Sequence, residues 1–397
     1  MRLSYFGHFI DILYSVNHKF EVNMLLTIFY QFFMLGCTSF GGPAAHIGYF
    51  RRHFVEHQKW VSASRYANMI TLSQILPGPG SSQVGFAIGM EKAGWLGGLA
   101  AFIGFTLPSF LIMLLLAFSA SQSSDWSTGI ISGLKLFAVV IVADAVISMA
   151  RSFCKTWPLR IISSVVALYL FTLPTLSSQL IALIGALIVG LFAPLSTIPK
   201  TPDAEKSSLP WPVLSLIVIL FVVCFSLIPD SIFAPFYQAG SLVFGGGHVV
   251  LPLLQANLPT VTNEVFLTAY AAAQAVPGPM FTIATYLGAL WDGTPNITNA
   301  LIATLAIFTP GLLLMGAFLN RWQALQAIAR FAHISAALNA AVVGLLFAAW
   351  LNPIIPSAVS ELWHWAIIGV GYGVLTKLKP PIWVMLIAFA AIGLIAH

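Results

Sequence analysis

The chain has 397 residues, of which 59% are hydrophobic and only 7% charged, against about 25% charged in a soluble globular protein. That shortage of polar surface excludes a string of soluble domains, and apolar runs this long and continuous exclude a β-barrel, whose strands alternate over about ten residues. What remains is an all-α polytopic membrane protein set in a lipid bilayer.

The formal net charge of +5 resides in short loops between apolar runs, so it does not point to nucleic acid. The first twenty residues carry Arg2, Asp11 and Lys19 around short apolar stretches, with no small-residue cleavage site after them. They are not expected to be a cleaved signal peptide. Cys37, Cys154 and Cys224 form no close pair, which suggests neither a disulfide framework nor a metal site.

In chain order, nine runs are long enough to cross a bilayer: 94–119, 128–150, 158–173, 177–194, 212–228, 298–319, 333–351, 360–376 and 380–396. Between them lie four apolar stretches interrupted by glycine and proline, at 24–56, 62–92, 231–258 and 265–291. One polar linker, 195–211, divides the chain into an N-terminal part, 1–194, and a C-terminal part, 212–397.

The two parts repeat each other. Phe40-Gly41-Gly42-Pro43 recurs as Phe244-Gly245-Gly246-Gly247, Gln74-Ile75-Leu76-Pro77-Gly78-Pro79 as Gln274-Ala275-Val276-Pro277-Gly278-Pro279, and Leu107-Pro108 as Thr309-Pro310. The offsets are 204, 200 and 202 residues, so both order and spacing are kept. Charge reverses between matching loops. Loop 51–65 holds Arg51, Arg52, Lys59 and Arg65, while 252–268 holds no Lys or Arg; 120–127 holds none, while 320–332 holds Arg321 and Arg330. Likewise 151–160 holds Arg151, Lys155 and Arg160, while 352–362 holds none. Because cytoplasmic loops are enriched in Lys and Arg, this reversal predicts an inverted repeat, an architecture of secondary transporters. Counting crossings favours reading the four interrupted stretches as re-entrant hairpins with their Gly/Pro turns at membrane depth. With that topology 16 of the 17 Lys and Arg residues are cytoplasmic, and Lys135 lies within a span. The alternative is a continuous broken helix through 24–50, which puts the N-terminus outside or demotes 212–228 as a span.

Non-helical backbone at membrane depth is tolerated only inside protein or beside a water-filled cavity. Pro43, Pro79 and Pro279 suit the first turn of the helix that follows, where a missing N–H is no loss. The unpaired amides and positive dipole ends of those helices would point to the centre and form an anion site. Ser81, Ser82, Gln83 and Thr282, just past the prolines, are expected to add donors for a tetrahedral oxyanion. Gly78 and Gly278 would let backbone approach closely. Pro-Gly-Pro taken singly reads more readily as a helix end at a loop; the duplication and the charge reversal favour the site.

Lys135 is the only basic residue inside a span, where insertion costs roughly 2.5–3.5 kcal/mol. It is a candidate for drawing an anion, against a snorkelling lysine; its counterpart is Asn339. Asp144, the only carboxylate inside a span, falls near the opposite helix face from Lys135 and is a candidate for a coupling proton or for a partner on another helix. His46 and His248 follow the glycine-rich breaks; a satisfied core histidine weighs more than a proton role for either. Gln74 and Gln274 bind substrate or cap a helix. No phosphate-binding loop, metal-spaced cluster or nucleophile with a nearby base occurs, so the chain is not expected to be an enzyme.

The segments FGGPAAHIGYF, QILPGPGSSQVGFAIG, FGGGHVVLPLL and QAVPGPMFTIATYLGAL resemble the chromate ion transporter family over about residues 25 to 350. The resemblance implies an inner-membrane carrier that exports chromate, driven by the proton gradient and without a cofactor, with sulfate as a similar oxyanion. It carries onto Gly41, Gly42, Pro43, Pro77, Gly78 and Pro79, with Gly245, Gly246, Pro277, Gly278 and Pro279 as partners. The second part departs from the first at Gly247, which replaces proline and leaves its helix start less fixed. A homodimer stays open as an assembly. The competing classes are a cation or neutral-solute carrier, which calls for more membrane-depth carboxylates, and a membrane-embedded enzyme or structural protein.

Overall fold

A computed structural model describes residues 23–120, 125–195, 231–244, 247–258, 261–319 and 329–396, with isolated positions between 212 and 223. Among the described residues there is no β-strand. The helices are α1 (Asn23–Thr38), α2 (Gly42–Phe50), α3 (Ala63–Ile75), α4 (Gly80–Ala120), α5 (Asp125–Phe153), α6 (Trp157–Thr172) and α7 (Leu176–Phe192). After the linker come α8 (Phe233–Leu242), α9 (Val250–Asn257), α10 (Asn263–Ala275), α11 (Ile283–Ala289) and α12 (Ile297–Phe318). Last are α13 (Ala329–Ala349), α14 (Ile355–Ala358), α15 (Leu362–Lys377) and α16 (Ile382–Ala396).

Seven of the nine expected spans form helices whose ends fall within a few residues of the expected ones, and an eighth, 94–119, is the second arm of α4 after a break at Ala93 and Gly94. The ninth, 212–228, lies mostly outside the described residues, as do Gly245, Gly246, Cys224 and nearly all of the linker. Among the described residues, four segments are long and apolar enough to cross a membrane unaided: Gly80–Ser119, Gly129–Phe153, Ile297–Phe318 and Ala332–Ala358. By contrast α6, α7, α15 and α16 have 16, 17, 16 and 15 residues. At 1.5 Å per residue such helices are about 24 Å long, short of the roughly 30 Å hydrocarbon core. They pack on the long helices, α6 and α7 on α13 and α15 and α16 on α5. Small residues permit the approach, as they do between helices in lipid; a Cβ at Gly190 of α7 would stand 2.5 Å from the Ile334 Cα of α13.

The interrupted stretches fold as hairpins. In the first, His53 Nε2 and Gln31 Oε1 are 2.6 Å apart, and Phe54 stacks on Phe32 with centroids 4.6 Å apart, so 42–57 runs back along α1. In the second, α4 is broken at Ala93 and Gly94. Its first arm returns to where α3 began: Arg65 Nε donates to Glu91 Oε1 at 2.6 Å, and Lys92 Nζ sits 5.5 Å above the Trp60 ring. The second hairpin therefore starts and ends at one level.

The hairpin tips meet crosswise. Gly78 N–H donates to Val243 C=O at 2.7 Å, and Gly278 N–H donates to Ser39 C=O at 2.9 Å. Each Pro-Gly-Pro glycine thus bonds the residue just before, or within one residue of, the Phe-Gly-Gly motif of the other half. Both tips rest on the middle of a long helix. A Cβ on Gly78 would come 2.7 Å from Gly311 Cα, and one on Gly278 would come 2.9 Å from Ser109 Oγ. Ser109 and Gly311 each follow the proline inside α4 or α12. Likewise, Gly36 backs onto the Phe105 carbonyl and Gly240 onto that of Ile307. Six contacts, four between the halves and two within them, therefore recur as three matched pairs.

Candidate functional site

Of the three prolines, only Pro43 sits in the first turn of its helix, after Gly41 at φ +98. Pro79 lies one residue before α4, where its C=O accepts from Gln83 N–H at 2.9 Å, and so acts as the cap. Pro279 caps a single 3-10 turn, Met280–Thr282, ahead of α11. Proline suits a cap as well as a first turn, since neither position uses an N–H.

A cavity of about 240 Å³ opens at the first-half tips. Pro43, Gln74, Gly78, Ser81, Gly247 and His248 line it, six of the residues singled out in the sequence, with Ser73, Gly80, Ser148 and Ser152 among the others. None of the lining residues is Lys, Arg, Asp or Glu. Its polar groups are hydroxyls, the exposed Gln74 amide, the His248 ring and the first-turn amides of α4, which have no partner within the helix. The His248 ring is held through one nitrogen: Tyr270 Oη lies 2.8 Å and Gln274 Nε2 3.2 Å from Nδ1. With Gln274 donating to Nδ1, the ring carries its proton on Nε2 and can donate through that atom.

Three expected contributors have other roles. Gln83 Nε2 donates to Pro77 C=O at 2.9 Å and to Gly311 C=O at 3.0 Å, tying the tip to α12. Thr282 Oγ1 donates to Pro279 C=O at 2.8 Å, within its own turn. Ser82 is buried with no partner for its hydroxyl, outside the cavity lining. His46 has both ring nitrogens engaged, with Ser81 Oγ and Ser39 C=O each at 3.2 Å, and no exposed surface. It braces the tip that Gly278 also binds.

The matching space in the second half is filled. Met280 stands where the first half has Gly80. Its Sδ is 2.8 Å from Gln274 Nε2, and its methyl would be 2.8 Å from a Cβ on Gly247. Gln274 is buried and engaged where Gln74 is exposed. Gly278 serves the crossed contact, and Pro279 the cap.

Lys135 differs from the expectation. Its Nζ is 3.0 Å from Glu264 Oε1, in the first turn of α10, and it does not line the cavity. The carboxylate offsets the charge that was to attract an anion. Glu264 is half exposed, and such pairs contribute about 0.2–1 kcal/mol. Lys135→Gln should therefore shift thermal stability only slightly, and Lys135→Gln with Glu264→Gln should recover most of that shift. A large, unrecovered loss of transport in Lys135→Gln would return the lysine to the site.

Asp144 lies one turn before Ser148 and two before Ser152 on one face of α5, and within electrostatic reach of Tyr270. It does not line the cavity itself. Ser148, Ser152 and Tyr270 were missed from sequence. The polar stripe 144, 148 and 152 in an otherwise apolar span was the available signal.

Helices throughout the described residues, four of them able to cross a bilayer, make this a multi-pass α-helical membrane protein. The chain belongs to the chromate transporter family, whose model matches residues 26–191 and 231–394. It is 31% identical over 308 residues to a probable chromate transport protein of Synechococcus elongatus, covering 76% of this chain and 77% of that one. It is 27% identical to the chromate transport protein of Cupriavidus metallidurans, covering 96% and 95%, and 26% identical to that of Pseudomonas aeruginosa, covering 82% and 80%. No solved structure matches the chain.

Proposed function

We propose that the chain exports chromate across the cell inner membrane, coupled to the proton gradient, and so confers chromate resistance. The observation that carries this is the uncharged, hydroxyl-rich cavity at the start of α4. Helix-start amides, serine hydroxyls and an Nε2–H imidazole are donors suited to a tetrahedral oxyanion. Sulfate shares that shape and is the competing substrate.

Direction follows from the Lys/Arg assignment. The cavity is walled by Ser148, Met149, Ser152 and Phe153, next to Arg151, Lys155 and Arg160. The loop that holds these bases is cytoplasmic by its charge, so the site takes its anion from inside. Asp144, within electrostatic reach of the Tyr270 that contacts His248, is the group proposed for coupling. Uptake of radioactive chromate into inverted vesicles tests both points. It should occur, fall with excess sulfate, and drop when the pH difference alone is collapsed. Dependence on membrane potential only would remove the proton from the scheme.

We read residues 1–194 and 212–397 as inverted repeats whose hairpins re-enter the membrane; the matched pairs of contacts support a twofold relation, and the charge reversal supports its orientation. Single cysteines at Gln58 and Thr294, in a cysteine-free background, should react with an impermeant reagent from opposite faces. Labelling of both from one face would sink the inversion.

A further inference from the structure

We propose that the groove between α6 and α7 binds one acyl chain of an anionic phospholipid, with the lipid phosphate held by Lys155 and Arg160. The groove measures about 610 Å³, and of its lining residues only Tyr169 carries a polar side-chain atom. Both helices pack on α13, yet no residue of α13 lines the groove. It therefore opens away from the core, with Ile161 and Val165 on one wall and Ile181 and Val189 on the other. These four side chains are 41–60% exposed. Gly185, set between Ile181 and Val189, gives the groove its depth.

Length selects an acyl chain over a helix. The mouth lies at the start of α6 and just past the end of α7, at Pro158, Ala193 and Leu195. The far end lies at Tyr169 and Ile181. From Pro158 to Tyr169 the helix rises about 16 Å, close to half of the roughly 30 Å hydrocarbon core. The groove thus spans one leaflet. A transmembrane helix of a second copy would run the whole thickness and leave half its length outside.

Charge selects the headgroup. Lys155 and Arg160 are exposed beside the mouth, and among the described residues neither forms an ion pair. Arg160 Nε donates to Cys154 C=O at 3.0 Å. That bond fixes the guanidinium at the helix start and leaves its Nη donors for a phosphate, which arginine suits. Trp157, 71% exposed, is the side chain expected where hydrocarbon meets headgroups. Basic residues at that level favour an anionic lipid over a zwitterionic one, and the charge of loop 151–160 puts the site in the cytoplasmic leaflet. The lipid site stands apart from the anion cavity. Phe153 of that cavity nevertheless precedes Lys155 by two residues, so a bound phosphate steadies the turn beside it.

Photolabelling of the full chain in a bilayer tests this. The probe is a phosphatidylglycerol with a diazirine near the end of one acyl chain. It is mixed into phosphatidylcholine vesicles that hold the purified chain, and labelled peptides are read by mass spectrometry. Label should concentrate around Tyr169 and Ile181 over the exposed faces of α15 and α16. Excess unlabelled phosphatidylglycerol should displace it, and phosphatidylcholine should not. Lys155→Gln with Arg160→Gln should lower the label on α6 and α7 by about tenfold or more. Gly185→Phe should remove it by filling the groove, since a Cβ there meets nothing within 4 Å. Unchanged label on α15 and α16 in both variants would show an intact fold. Even labelling of all lipid-facing helices, equal displacement by both lipids, or full label in both variants would reduce the groove to ordinary lipid-facing surface. Absence of label from α6 and α7 in wild type would mean that another segment or a second copy covers it. Each of these results overturns the proposal.

Discussion

Gly78→Ala and Gly278→Ala are expected to abolish chromate transport and to deplete the protein from the membrane. Both glycines have left-handed backbone, φ +124 and +102, which costs an L-residue about 1–2 kcal/mol. The added methyl at 78 would also stand 2.7 Å from Gly311 Cα, and at 278 it would stand 2.9 Å from Ser109 Oγ. To relieve that overlap the tip must withdraw from the long helix, and the crossed bonds to Val243 and Ser39 then lengthen. Each buried amide or carbonyl left without a partner adds about 1–3 kcal/mol. Gly78→Ala should be the worse of the two, because it meets backbone, whereas a serine hydroxyl can turn away. Gly48→Ala and Gly185→Ala meet nothing within 4 Å and should keep wild-type amounts. Membrane content by immunoblot and growth on chromate measure the four variants together. Wild-type content and resistance in Gly78→Ala would show that the crossed contact is dispensable.

The same contact separates what the sequence discloses from what it withholds. Composition and the length of the apolar runs predict a helical membrane protein, because burial of backbone polar groups in lipid admits few alternatives. The repeated motifs predict that the breaks belong together, and the tips do meet. Sequence could not tell what the glycines approach. They were expected to admit a ligand; the fold adds that each also admits the long helix of the other half, Gly78 the backbone of Gly311 and Gly278 the side chain of Ser109. Lys135 shows the limit in another way. An isolated charge in an apolar run looks unpaired until the fold brings Glu264 to it from another helix. Unequal halves were expected from Gly247, which replaces a proline; the difference that matters in space is Met280 in place of Gly80, whose side chain packs against Gln274.

Gly80→Met is expected to stop transport while leaving the protein in the membrane. Position 80 differs from its neighbour Gly78: its backbone is not left-handed, and a Cβ would meet only Ser73 C=O at 3.6 Å and Ser73 Oγ at 3.8 Å, ordinary contact distances. The rest of a methionine side chain must then extend into the cavity lined by Gln74, Ser81 and His248. The second half already holds this arrangement, with Met280 against Gln274. An anion excluded from the cavity loses its hydrogen bonds there, each worth about 1.5–3 kcal/mol to a charged group. Chromate uptake should therefore fall by at least about tenfold, while membrane content stays normal or rises as apolar surface is buried. Gly80→Ala, too short to reach across, should transport at a reduced rate. The opposite change, Met280→Gly, should behave as a large-to-small core substitution, destabilising by about 2–5 kcal/mol and creating no second route, since Gln274 stays bound to His248. Stable Gly80→Met protein that moves chromate at the wild-type rate would place the substrate outside this cavity.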